Sequence, residues 1–175
     1  LINQANKTWK KIPTGVAFHP QHNVQLIADD RSLLLVVQEP GMPLSLRRWV
    51  DQNWSPPVQT GIAPSHVLLD VVNVAGRWLI VTGETRANRS LQCFNLQAWA
   101  QTDDHWSPVG KLEFEKTGIP RAQIAVTGFQ NYLMVYHGPD QVSGKTIENQ
   151  LHHCAWVTGR THQANFETIK TGLYS

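Results

Sequence analysis

DVVNVAGRWLIVTGETRANRSLQCFNLQAWAQTDDHW, the stretch from Asp70 to Trp106, decides how this chain folds. It opens with the end of an apolar run that starts at Val67. A second run, RWLIVTG, follows from Arg77. Both are rich in β-branched and aromatic residues and contain no proline, which favours strands. Ala75-Gly76-Arg77 between them reads as a tight hairpin turn. After a polar loop, LQCFNLQAW from Leu91 supplies a third strand, and a fourth carries HWSP from His105. No segment keeps a 3.6-residue apolar period. Leu91 to Trp99 comes closest, and its place in the pattern makes it a strand.

The same order recurs along the chain. The first runs are VQLIAD from Val24, VLLDVVNV from Val67 and AQIAVTG from Ala122. The second runs are SLLLVVQ from Ser32, RWLIVTG from Arg77 and NYLMVYHG from Asn131. The connecting pieces Asp29-Asp30-Arg31, Ala75-Gly76-Arg77 and 128–131 read as hairpin turns. Third strands follow as LSLRRWV from Leu44, LQCFNLQAW from Leu91 and NQLHHCAWV from Asn149. NWSPPVQTG from Asn53 and HWSPVG from His105 echo one another in the fourth. Thr-Gly plus a branched aliphatic residue appears at Thr14, Thr60, Thr117 and Thr171, spaced by 46, 57 and 54 residues. Trp9, Trp54, Trp106 and Phe166 precede these, and Trp49, Trp99 and Trp156 form a second aromatic landmark. Six of the seven tryptophans therefore fall at two repeated positions, leaving Trp78 as the exception.

Four short antiparallel strands in a unit of about 45 to 57 residues are what a propeller blade requires. One small sheet cannot bury both faces alone, whereas sheets stacked face to face bury them in series. A tryptophan at the same place in every unit is suited to filling the space between neighbouring sheets. The expected fold class is thus all-β, a β-propeller segment of about three four-stranded blades plus one extra outer strand. The divisions are 1–17 for the outer strand of a preceding blade, then blades at 18–62, 63–119 and 120–175.

The pattern resembles the kelch-type propeller repeat. The Asp70–Trp106 stretch carries the resemblance, together with IPRAQIAVTGFQNYLMVYHG from Ile119, whose Pro-Arg precedes the first strand of its unit. The kelch double glycine is replaced by Thr82-Gly83, His137-Gly138 and Val37-Gln38, and Phe94 stands where a tyrosine precedes the last tryptophan. The Ser-x-Asp-x-Gly-x-Thr-Trp box of sialidase propellers is missing, as are the signatures of the WD40 type. Propellers close with about four to eight blades. The resemblance therefore implies that this chain belongs to a larger ring, with further blades from the same or another chain.

Composition narrows the function. Hydrophobic residues are 41% of the chain, charged residues 16% and the formal charge +2, with no lysine or arginine block. Lys10-Lys11 and Arg47-Arg48 are pairs rather than patches, which excludes an electrostatic footprint for nucleic acid or anionic membrane. The longest apolar run, Leu33 to Val37, is far short of a membrane span. Two cysteines, Cys93 and Cys154, cannot form a disulfide framework, and buried thiols are expected. Sequons at Asn6, Asn53 and Asn88 are compatible with a secreted protein.

Catalytic and metal patterns are weak. His19 and His22 lack an accompanying acidic or cysteine cluster. His152 and His153, adjacent on a strand, point to opposite faces. Asp103-Asp104-His105 suits a turn. Glu113 and Glu115 suit a solvated strand face. GPDQVSGK, 138–145, has one residue too many for a phosphate loop. No cofactor and no metal are expected. The function expected is a non-catalytic recognition or scaffolding module, with loops on a rigid frame as the contact surface. The candidate contacts are in the second-to-third strand loops: Glu39 and Met42; Glu84, Arg86 and Asn88; Asp140 and Lys145. The partner is a protein or a glycan. A lectin is one alternative. A sialidase- or glycosidase-like enzyme is the other, for which Asp70 is the best-placed acid.

Overall fold

The computed structural model describes residues 13–15, 17, 19–28, 32–87, 89, 91–102, 105–114, 118–129 and 132–137 in full. It also gives the strand backbone at 2–3, 8–9, 141–142, 145–146, 150–155, 164–165 and 167–169. The chain is all-β. Two short strands, β1 (Ile2–Asn3) and β2 (Thr8–Trp9), pair with each other. Then come β3 (Asn23–Ala28), β4 (Leu33–Gln38), β5 (Ser45–Val50), β6 (Asn53–Trp54) and β7 (Val58–Gln59). The central set is β8 (His66–Val74), β9 (Arg77–Glu84), the short β10 (Gln92–Cys93), β11 (Asn95–Thr102) and β12 (His105–Glu113). A two-residue β13 (Ile119–Pro120) pairs with β10 and leads through a 3₁₀ turn, Arg121–Gln123, into the last set. That set is β14 (Ile124–Phe129), β15 (Tyr132–His137), the paired β16 (Gln141–Val142) and β17 (Lys145–Thr146), then β18 (Gln150–Ala155), β19 (Ala164–Asn165) and β20 (Glu167–Ile169).

These strands form three antiparallel meanders in chain order: β3-β4-β5-β6, β8-β9-β11-β12 and β14-β15-β18-β20. One pairing breaks the pattern. β19 leaves the third meander and adds in parallel to the outer edge of the second, Gly110 beside Ala164 and Lys111 beside Asn165. An unpaired outer edge presents a row of N–H and C=O groups, and a returning segment satisfies part of it.

Side-chain alternation explains why the meanders stack. In the middle sheet Trp78, Ile80 and Trp99 face the first meander, where they join Leu34, Val36, Leu44, Leu46 and Ile62. Their neighbours Leu79, Val81, Ala98 and Ala100 face the third meander and meet Leu133 and Val126. Period-two strands with apolar residues at both parities have to bury both faces, and the middle sheet does so. A bulge between Leu68 and Asp70 keeps the parity correct, putting both Leu68 and Val71 on the side of the first meander. The echoed "WSP" divides its work. Trp106 is buried in the first inter-sheet core. Pro108 sits where the β11–β12 register shifts, so its missing N–H leaves no gap in the ladder. At the earlier copy Trp54 packs edge-on against Trp49, ring centroids 5.3 Å apart. The Ser55 hydroxyl there accepts the Arg48 N–H at 3.0 Å, in place of a backbone partner.

The Thr-Gly repeat is a turn. Gly15, Gly61 and Gly118 all have φ between 65° and 76°, a left-handed conformation that glycine adopts without steric cost. At Thr60 the buried hydroxyl donates to Leu44 O at 3.0 Å and accepts the Ile62 N–H at 3.2 Å. The aliphatic residue after the glycine is then delivered inward, and both Ile62 and Ile119 are fully buried. Of the other landmark copies, Thr117, Thr171, Trp156 and Phe166 lie outside the described residues, as does the side chain of Trp9.

Candidate recognition surface at the loop end of the sheets

The inner strands β3, β8 and β14 lie beside one another, and polar side chains tie them along the free edge of β8. Gln38, at the end of β4, donates its Nε2 to His66 O and accepts the Leu68 N–H on Oε1, both at 2.7 Å. Leu68 O receives two further donors: Asn23 Nδ2 from β3 and, at 2.9 Å, a guanidinium nitrogen of Arg121 just before β14. These backbone groups lie on the free edge of β8, and side chains from both neighbouring meanders satisfy them. On the far side Gly128 of β14 approaches so closely that a Cβ there would lie 2.2 Å from Asn73 O.

Above this frame the face of the middle sheet changes from apolar to polar. Register places His66, Glu84, Asn95 and Glu113 in one row across all four strands, with Leu68, Thr82, Gln97 and Lys111 in the next. Thr82 is fully buried, and its hydroxyl is a hub. Trp99 Nε1 donates to it at 2.8 Å, and His66 Nδ1 lies 3.2 Å away. The His66 ring stands edge-on to Trp99. Burial lowers the His66 pKa below 6.5; the Glu84 charge opposes this and Lys111 reinforces it, so the imidazole is held neutral. Asn95 Nδ2 donates to Glu84, while the buried Asn95 Oδ1 has no partner. Lys111 and Glu113 pair at 2.7 Å in solvent. Asp70, on β8, has its carboxyl pKa raised by burial, with the Val71 N–H bond at 2.7 Å acting against that.

The loops at this end are built differently from one another. Glu39-Pro40-Gly41-Met42 is closed by Met42 N–H donating to Glu39 O at 3.1 Å, with Gly41 at φ 74°. Proline then glycine at the two central positions fits a type II turn. Glu39 is exposed, and Met42 is 52% exposed. The loop after β9 is pinned at many points. Thr85 N–H donates to Ser65 O at 2.9 Å, Arg89 N–H to Arg86 O at 2.8 Å, Gln92 N–H to Arg89 O at 3.1 Å and Phe94 N–H to Glu84 O at 2.9 Å. Arg121 N–H donates to Leu91 O at 2.9 Å, and β10 pairs with β13. The Arg86 guanidinium lies 3.9 Å over the centre of the buried Phe94 ring.

Of the residues expected at a contact surface, Glu39, Met42 and Arg86 are exposed, and Glu84 is half-buried and turned to Asn95. Asn88 and Asp140 lie outside the described residues, as does the side chain of Lys145 on β17. Trp106 lies in the inter-sheet core with Trp99 packed beside it, whereas Trp49 and Trp54 pack against each other within the first meander. His19 and His22 sit together in a turn, His22 N–H donating to His19 O at 2.9 Å. Among the described residues no three His, Cys, Asp or Glu side chains converge as metal ligands. Cys93 is a free, buried thiol whose pKa burial pushes up to about 11. The Cys154 side chain and Asp103-Asp104 lie outside the described residues. No helix among the described residues is long and apolar enough to cross a membrane. The repeat places Gln38, Thr82 and Phe94 at its glycine and tyrosine positions and Leu91 at the start of a third strand, but carries no sign of the contacts these residues make, and His66 has no place in it. No protein-family model and no curated protein matches this chain.

Proposed function

We propose that the chain is an arc of a kelch-like β-propeller and works as a non-catalytic recognition or scaffolding module, binding a protein partner through the loops between second and third strands. The pinned loop from Glu84 to Phe94 carries this reading. A loop held by six backbone bonds and a stacked arginine presents its side chains without paying the ordering entropy that a slack loop loses on binding. The arc is supported by three meanders buried in series and by the outward face of the third. There Phe129, Tyr132 and Tyr136 are 60%, 38% and 42% exposed, an aromatic face of the sort that a further sheet covers elsewhere in the chain. The polar rows on the middle sheet favour glycan binding as a second reading. A glycosidase would need two carboxylates flanking one bond, and among the described inner-strand residues Asp70 is the single acid.

Light scattering on the purified chain tests the arc: self-association, or exposed apolar surface that binds dye, is expected. A soluble, folded 19.7 kDa monomer overturns it. A glycan array with a hydrolase screen tests the partner class, and strong glycan binding without turnover overturns the protein-partner reading.

A further inference from the structure

We propose that the Leu91 corner of the loop after β9 is the docking point for an acidic peptide segment carrying an apolar side chain, contributed by a partner protein. This rests on the protein-recognition reading above. Leu91 is 78% exposed, the most exposed of the large apolar residues among those described. A single exposed leucine is ordinary; a leucine whose backbone is locked is less so. Its carbonyl accepts the Arg121 N–H, and the next two residues pair with β13. The side chain is therefore offered at a fixed point, as an anchor is in a binding hot spot.

Among the described residues of this corner, arginines outnumber acids. Arg86 and Arg89 are exposed and bridge each other at the two ends of one tight turn. Stacking on Phe94 fixes the plane of Arg86 and leaves its N–H edge for an acceptor. Arg121 adds a third positive charge, its guanidinium directed at Leu68 O. The loop's described acid, Glu84, is turned to Asn95. Carboxylates on either side of an apolar residue complement this arrangement. A nucleic acid strand would satisfy the arginines and leave the leucine without a partner.

The test is a random dodecapeptide library displayed on phage and selected on the whole chain. Enriched peptides, together with a labelled oligo-dT, are then measured by fluorescence anisotropy. The expected peptides are rich in Asp and Glu around an apolar residue, and bind more weakly as salt rises from about 0.05 to about 0.5 M. Leu91→Ser should weaken them about tenfold or more. Arg86→Glu with Arg89→Glu should abolish their binding and select basic peptides instead. All three positions are exposed, and thermal melting verifies that the variants fold. Basic or uncharged winners, tighter binding of oligo-dT, or binding unaltered by Leu91→Ser each overturn the proposal. Acidic peptides lost on changing Glu39 and Met42 instead overturn this site while leaving loop-mediated recognition standing. Glycan binding with no enriched peptide overturns both.

Discussion

Gln38 holds Leu68 as a neighbouring strand would. Its side-chain amide accepts the Leu68 N–H and donates to the carbonyl two residues earlier, on His66, both at 2.7 Å. The bond pair joins the first and second meanders and covers the edge of β8 where its bulge interrupts regular pairing. Replacing Gln38 with Leu leaves both backbone groups without partners in a buried place. The expected loss is about 2–6 kcal/mol, from one to three for each of the two unsatisfied groups. Gln38→Glu keeps the acceptor and loses the donor, and should fall between. Urea unfolding of the three proteins gives the order.

Gly128 meets β8 backbone to backbone. A methyl group there would lie 2.2 Å from Asn73 O, and neither strand can move without disturbing its own ladder. Gly128→Ala should cost about 1–3 kcal/mol. Gly83 provides the contrast. Its added methyl would strike Cys93 Sγ at 2.3 Å, a side-chain atom that can be removed. Gly83→Ala should therefore be destabilising alone and partly recovered by Cys93→Ala, which removes Sγ and leaves Cys93 Cβ at 3.0 Å. A double-mutant cycle in thermal melts would show a coupling that the Gly128 change lacks.

Asp51 and Gln52 form the two-residue turn between β5 and β6, at φ 50° and 64°. Both central residues at positive φ define a type I′ turn, which Asp-Gly suits and Asp-Gln does not. Gln52 is exposed, so Gln52→Gly should stabilise by roughly 0.5–1 kcal/mol. A lower melting temperature for that variant would contradict the turn assignment.

His66 makes stability depend on pH in a defined direction. Burial lowers its pKa from 6.5, so the unfolded chain takes up a proton at a higher pH than the folded one. Stability is full above pH 6.5 and falls as pH drops from there toward the depressed folded value. Denaturation of the native chain and of His66→Gln between pH 8 and 5 should show a steeper decline in the native chain. Parallel curves would rule out His66 as the source.

The repeat made much of this architecture legible. Hairpins at Ala75-Gly76, the strands around them and the order of aromatic landmarks follow from alternation and turn chemistry, which are local. The Thr-Gly motif is legible as a repeat, while its role, a positive-φ turn that sends Ile62 and Ile119 inward, becomes visible only in the fold. Of the contact surface, the loops were legible by position. Leu91 and Phe94 were not, because their significance lies in partners more than 25 residues away or in a stacked arginine.

By itself the sequence determined that this chain is all-β and builds antiparallel meanders, because the two-residue period and the turn residues act over neighbours in the chain. Tertiary structure alone decided which parity of each strand meets which meander. A single bulged residue at Leu68–Asp70 reverses that parity, and the choice is made by packing Trp106, Trp99 and Ile80 against Leu34 and Val36. It also decided that Gln38, Asn23 and Arg121 converge on one carbonyl's surroundings, from positions 30, 45 and 53 residues from their backbone partner Leu68 on β8. Contacts at that separation depend on how whole sheets stack, and no local pattern encodes them.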